Sequence, residues 1–321
     1  MNAGVPLGLS SGLCWGAADF FGGIQSRRLP ALTVAFWSQL AGALALAIAL
    51  AIEGVRPAAT GIAWGLAAGV GSGCALVLFY RSLAEGTMSM VAPISACGAI
   101  VPVAAALLTG NQPGTLAALG VLATIAGVIL VSRPHTPARF APPAVEGDLA
   151  GPVSPASSAR GGRRVVAMAL GSALGFGLFY VFVDAGAAST AGTAATTGAV
   201  AAAAAGTAGS HGSPLWVIAG ARMSSLAILS MIALVSRRSA LRWPGRRIGA
   251  VALVGIGDTG ANLLFAYAAT TGNLAVVGVL GSLYPVATVV LARWLLRERL
   301  SGGQNVGVVL ALTGVVLLAA A

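Results

Sequence analysis

Asp258 and Asn262 stand four residues apart in a stretch that is otherwise apolar or small. Four residues make about one helical turn, so both side chains leave the same face. A carboxylate in hydrocarbon costs at least about 2.5–3.5 kcal/mol on insertion scales, so Asp258 must face a partner or a cavity. Arg222, within the preceding apolar stretch, is the candidate partner. Three chemistries are open. Paired with Arg222, Asp258 stays an ion and ties two segments together. Unpaired in a dry cavity, it can load and release a proton. In the third, it touches a substrate directly. Arg222 could instead hold a substrate carboxylate or phosphate in its planar fork, or be spent on an ion pair or on backbone carbonyls.

Asp19 follows Trp15 by four residues, so these two also share a face, about one turn from the Arg27 end of their stretch. It reads either as an interfacial acid reaching water or as part of a transport site, while Asp184 reads as interfacial. Gln39, Ser95, Ser282 and Tyr284 could hydrogen-bond a substrate near mid-membrane or join helix to helix. No enzyme centre stands out. The two His residues, His135 and His211, lie in low-complexity stretches, and Cys14, Cys74 and Cys97 lack metal-site or disulfide spacing. No phosphate-cradling loop occurs. Metal, cofactor, ATP and catalytic residues are therefore not expected.

The elements that must position these residues are membrane helices. The 321 residues are 57% hydrophobic and 8% charged, against roughly a quarter charged in soluble domains. Apolar stretches near 5–24, 31–52, 60–82, 88–109, 113–132, 164–184, 214–236, 247–271, 274–296 and 303–320 are each long enough to span the bilayer. Being apolar on all faces rather than alternating, they predict helices, hence an all-α integral membrane protein with ten transmembrane helices. The first stretch lacks a basic leader and should stay uncleaved. Trp37, Trp64, Trp216 and Trp243 fit an interfacial belt.

The net charge of +10 would point to nucleic acid in a soluble protein. Here no soluble domain carries it, so the location of the Arg residues decides its meaning. All but Arg56 and Arg222 fall in or beside odd-numbered loops, which places those loops in the cytoplasm and both termini outside.

Gly120, Val121, Gly127 and Val128 recur 187 positions on as Gly307, Val308, Gly314 and Val315. Leu78, Phe79, Gly86 and Val91 recur 186 positions on as Leu264, Phe265, Gly272 and Val277. The chain is thus a duplication: a first repeat over 1–132, a flexible cytoplasmic linker over 133–163, and a second repeat over 164–321. Five spans per repeat is an odd number, so the repeats are inverted. A low-complexity segment at 185–213 reads as a non-crossing insertion in the second repeat. Gly8, Gly12 and Gly16, like Gly65, Gly69 and Gly73, recur every four residues and serve either packing within a monomer or a homodimer. Pro93, Pro102 and Pro285 each remove a helical hydrogen bond.

The motifs also carry a family likeness. Gly257-Asp258, Asn262, Gly272, Ser282-Leu283-Tyr284-Pro285, Arg297-Glu298-Arg299-Leu300-Ser301, Gln304, Gly307 and Gly314 resemble the EamA domain of the drug/metabolite transporter superfamily. In the first half, Trp15-Gly16, Asp19-Phe20, Tyr80-Arg81, Val91-Ala92-Pro93-Ile94-Ser95, Gly120 and Gly127 look like its companion. The resemblance implies two inverted five-helix repeats around a central cavity lined by the first four helices of each. It implies cargoes such as amino acids, nucleotide-related metabolites, sugars or toxic compounds, exchanged or expelled with protons or a counter-substrate. The family's acidic turn before the last helix of a repeat is kept at Glu298, whereas the first half has Asn111. Many members are drawn with both termini in the cytoplasm, opposite to the Arg distribution here.

The reading is a secondary-active transporter of a bacterial inner membrane that moves a small metabolite or toxic compound by alternating access. The other class left open is a non-transporting membrane module that presents a lipid-linked substrate or assembles with a partner.

Overall fold

The computed structural model describes residues 4–54, 57, 59–108, 114–132, 155–191, 215–236, 241–271 and 280–320. Within them regular structure is helical throughout. The α-helices are α1 (Gly4–Ser26), α2 (Ala31–Glu53), α3 (Ala59–Glu85), α4 (Met88–Ala96), α5 (Ile100–Leu108), α6 (Thr115–Val131), α7 (Pro155–Ala191), α8 (Leu215–Val235), α9 (Ile248–Thr271), α10 (Tyr284–Leu295) and α11 (Gly302–Ala319).

Each apolar stretch read from the sequence overlaps a helix, with α4 and α5 sharing one. Seven segments are long and apolar enough to cross a membrane: those containing α2, α3, α4 with α5, α7, α8, α9 and α11. The helices α6 and α10 are apolar but shorter. Large apolar side chains such as Leu44, Ile48, Leu119, Leu122 and Val309 point away from the protein, the surface expected where lipid rather than water is the solvent.

One boundary differs from expectation. Helix α7 begins at Pro155, inside the expected linker, and runs on to Ala191. Pro at a helix start loses no hydrogen bond, and the Ala and Arg that follow favour helix, so the α-helix extends past its apolar part. The rest of the linker and most of the 185–213 segment lie outside the described residues, as do Arg56 and Asn111.

Glycines set the helix contacts. The repeated pairs found in the sequence meet each other: Gly127 lies on Gly307, and Gly120 on Gly314. Residue 120 thus meets the counterpart of 127, and 127 the counterpart of 120. Helices that swap contacts in this way run antiparallel about a two-fold axis, and α6 and α11 do so. The other contacts obey the same exchange. Gly65, Gly69 and Gly73 of α3 lie on Val217, Ala221 and Ser225 of α8, so the two helices run in the same direction. In the other half Gly255 of α9 lies on Ser38, and Gly42 of α2 on Gly255 and Thr259, again parallel. Helix α1 is antiparallel to α9, with the Ser11 hydroxyl donating to the Ala261 carbonyl at 2.8 Å and Cys14 to that of Gly257 at 3.5 Å. Helix α7 is antiparallel to α3, through Gly175 on Gly71 and Gly171 on Leu78. The small-residue faces of α1 and α3 are therefore spent within the chain.

Candidate functional site

Arg222 is the hub. It lies within α8, 7% exposed, and α2 and α9 bring three partners to its fork. Nη1 donates to Gln39 Oε1, and Nη2 donates to Asp258 Oδ2 and, at 3.4 Å, to Thr259 Oγ1. Thr259 in turn donates to the Gly42 carbonyl at 3.0 Å, locking α9 to α2. The close approach needs glycine: a Cβ at Gly42 would sit 2.8 Å from Thr259 Oγ1 and 3.3 Å from Arg222 Nη1. Of the three chemistries open for Asp258, the ion pair with Arg222 is present. Arg222 is accordingly not free for an anion.

The Asp258 side chain is nevertheless 37% exposed, against 9% for Arg222. Leu253, at 69%, and Ile256, at 47%, mark the outward face of α9. At about 100° per residue, Asp258 stands about 140° from Leu253 and about 160° from Ile256, on the inward side. Its open area therefore faces a space inside the bundle. Asn262, one turn on, donates its Nδ2 hydrogen to the Asp258 carbonyl at 2.6 Å and is likewise half-buried.

Trp15 of α1 stands at this level, since its neighbour Cys14 contacts Gly257. Its ring lies 5.6 Å from that of Phe265 and 6.5 Å, edge-on, from that of Tyr284. Tyr284 opens α10 after a turn at Ser282 and Leu283, and its side chain lies beside that of Tyr180 on α7. Asp19, one turn along α1 from Trp15, is near enough to feel the charge of Asp258. Among the described residues Asp19 has no hydrogen-bond or ion-pair partner. Beside it the Tyr80 ring covers Gly22, where a Cβ would meet the ring at 2.6 Å.

The structure thus gathers Trp15, Asp19, Gln39, Arg222, Asp258, Asn262 and Tyr284 from the candidates, with Ser282 in the turn beside them. Ser95 is elsewhere, bonded to Ser172 of α7 at 2.9 Å. Sequence reading missed Thr259, Gly42 and Tyr180 as members. Thr259 follows Asp258 directly, and Gly42 lies one turn after Ser38 within the strip of α2 that touches α9; neither is visible until the two helices are placed together.

Two helix interruptions flank this centre. In the first half a 3-10 turn at Cys97–Ala99 separates α4 from α5, and in the second the turn at 282–283 precedes α10. The repeat offset carries 97 to 283 or 284, so the breaks correspond. Gly98 seats against Ala173 and Gly177 of α7, and Tyr284 against Gly16 of α1, the same helix pairing in each half. Short interrupted segments at matching positions of two repeats are the arrangement that frames substrate sites in secondary transporters.

Glu298 lies apart from this centre. Its Oε1 accepts from the Met88 N–H at 2.9 Å and its Oε2 from the Ser89 N–H at 2.8 Å, so a carboxylate of the second half caps α4 of the first. Arg27 pairs with Oε1 at 3.3 Å. Arg297, at a φ of 53°, turns the chain into place. Ser301 and Gln304 then form a reciprocal capping box that starts α11. No three metal-ligating side chains come together among the described residues.

The EamA-like transporter family matches residues 2–133 and 190–320. A solved structure described only as a crystal structure of a protein covers 98% of this chain, and this chain 95% of it, at 16% identity and a TM-score of 0.57, a likeness of fold alone. No curated protein matches the chain.

Proposed function

Because this chain belongs to the EamA-like transporter family, we propose that it is a secondary-active permease moving a small molecule through the centre of the bundle by alternating access. The observation that carries this is the Asp258 carboxylate, deep in α9, facing inward and open over more than a third of its surface although it is paired with Arg222. An acid with open area inside the bundle can be reached by a substrate or a proton, which a fully enclosed pair cannot. The corresponding breaks at 97–99 and 282–283 support a site at this level.

The two halves are inverted five-helix repeats. Helices α3 and α8 run the same way with α4–α5, α6 and α7 between them in sequence, which supports an odd number of crossings there. The Arg-rich loops lie in the cytoplasm, the termini outside, and rocking one repeat against the other exposes the site alternately. Efflux or exchange, driven by protons or a counter-substrate, is the direction we assign.

Purified protein in liposomes tests this. Protein-dependent flux of members of a metabolite panel, responding to a pH gradient or to internal counter-substrate, is the expected result. Absence of flux across the panel would sink the permease reading in favour of a membrane module.

A further inference from the structure

The charges of the central site are unequally spent, and this bears on what it carries, given that it is a permease site. Arg222 offers nothing to an anion. Nη1 is bonded to Gln39, Nη2 to Asp258 and Thr259, and the residue is 7% exposed. The acids are the opposite. Asp258 keeps open area toward the interior, and Asp19, on α1 one turn from Trp15, has no hydrogen-bond or ion-pair partner among the described residues. Asp19, Arg222 and Asp258 are the described ionisable acids and base well inside the helical spans, two acids against one base. Retaining an unpaired carboxylate at that depth is costly, and a cation arriving beside it removes the cost. Next to it, Trp15, Phe265 and Tyr284 form an aromatic wall, with Gly281 seated against the Trp15 and Phe265 rings. An aromatic face attracts cations and covers flat apolar bodies.

We propose that the central site takes a cationic amine with an aromatic body, its ammonium on Asp19 and its body against Trp15, Phe265 and Tyr284. Carboxylate-bearing compounds without an amine are excluded by Asp19 and Asp258, and Arg222 does not rescue them.

Three probes with one aromatic body and different charge test this: phenethylamine, phenethyl alcohol and phenylacetate. Binding to the full-length protein in detergent is measured by calorimetry, and flux separately by counterflow in liposomes. Phenethylamine should bind about tenfold tighter than the alcohol, the effect of one charge-assisted hydrogen bond, and phenylacetate weakest. Asp19→Asn should erase the gap between amine and alcohol while alcohol binding persists, which shows the variant folded; Asp19→Glu should restore part of it. Equal binding of amine and alcohol, tightest binding of phenylacetate, no binding of any probe, or an amine preference that survives Asp19→Asn would overturn the proposal. Amine binding without flux would contradict the permease reading and leave the amine site standing. Flux of phenylacetate without amine binding would do the reverse.

Discussion

At the residue scale the pair Arg222–Asp258 is asymmetric, and the asymmetry has a measurable sign. Arg222 is enclosed, so removing its carboxylate strands a buried charge; Asp258 reaches the interior opening, so removing its Arg leaves an acid that water can solvate. Asp258→Ala should therefore cost about 3 kcal/mol of stability and Arg222→Gln about 1 kcal/mol, read from denaturation of the purified protein. The reverse order would mean that the opening beside Asp258 is dry. Sequence alone supplied both partners, because charged residues in apolar stretches need one another. It did not supply Gln39 as the third member. Its role follows from symmetry: Ser38 lies on Gly255 as Ala221 lies on Gly69, so the next residues, Gln39 and Arg222, occupy equivalent positions and meet near the two-fold axis. One position of the duplicated unit carries an amide where the other carries a charge.

At the element scale, stability rests on backbones in contact. Gly255→Ala would drive a methyl into the backbone of Ser38, whereas a Cβ at Gly260 meets nothing within 4 Å. Gly255→Ala should lower the unfolding midpoint by the equivalent of about 1–3 kcal/mol, as overpacking does, while Gly260→Ala should be neutral or slightly stabilising. Thermal unfolding of the two variants side by side checks this. Glu298 joins elements in a different way. Glu298→Ala should cost about 1–3 kcal/mol by freeing the Met88 and Ser89 N–H groups and Arg27, with Glu298→Gln between it and the native protein, since the amide retains one acceptor. The glycine spacing was legible in the sequence, but not which helix each glycine face meets. The motif around Glu298 was legible only as a family likeness. Its physical content, one cap for α4 and a capping box for α11, depends on a contact spanning 210 residues, which local patterning cannot carry.

At the scale of the whole molecule, the duplication seen in Gly120, Gly127, Gly307 and Gly314 is now a physical interface, since the repeated glycines meet each other about the axis that relates the halves. Helix positions were legible because hydrocarbon demands long apolar helices, and seven of the ten stretches hold segments long and apolar enough to span. The extension of α7 into the linker was not, because a helix outside the bilayer needs no apolar run. The central claim is that the space beside Asp258 opens to each side of the membrane in turn, and Asn262 borders that space. A single thiol at Asn262→Cys, with Cys14, Cys74 and Cys97 replaced, probed with a membrane-impermeant thiol reagent applied to oriented vesicles from one face and then the other, measures this directly. The account expects labelling from either face, with prior labelling from one face blocking the other; labelling from one face alone, or from neither, would contradict it.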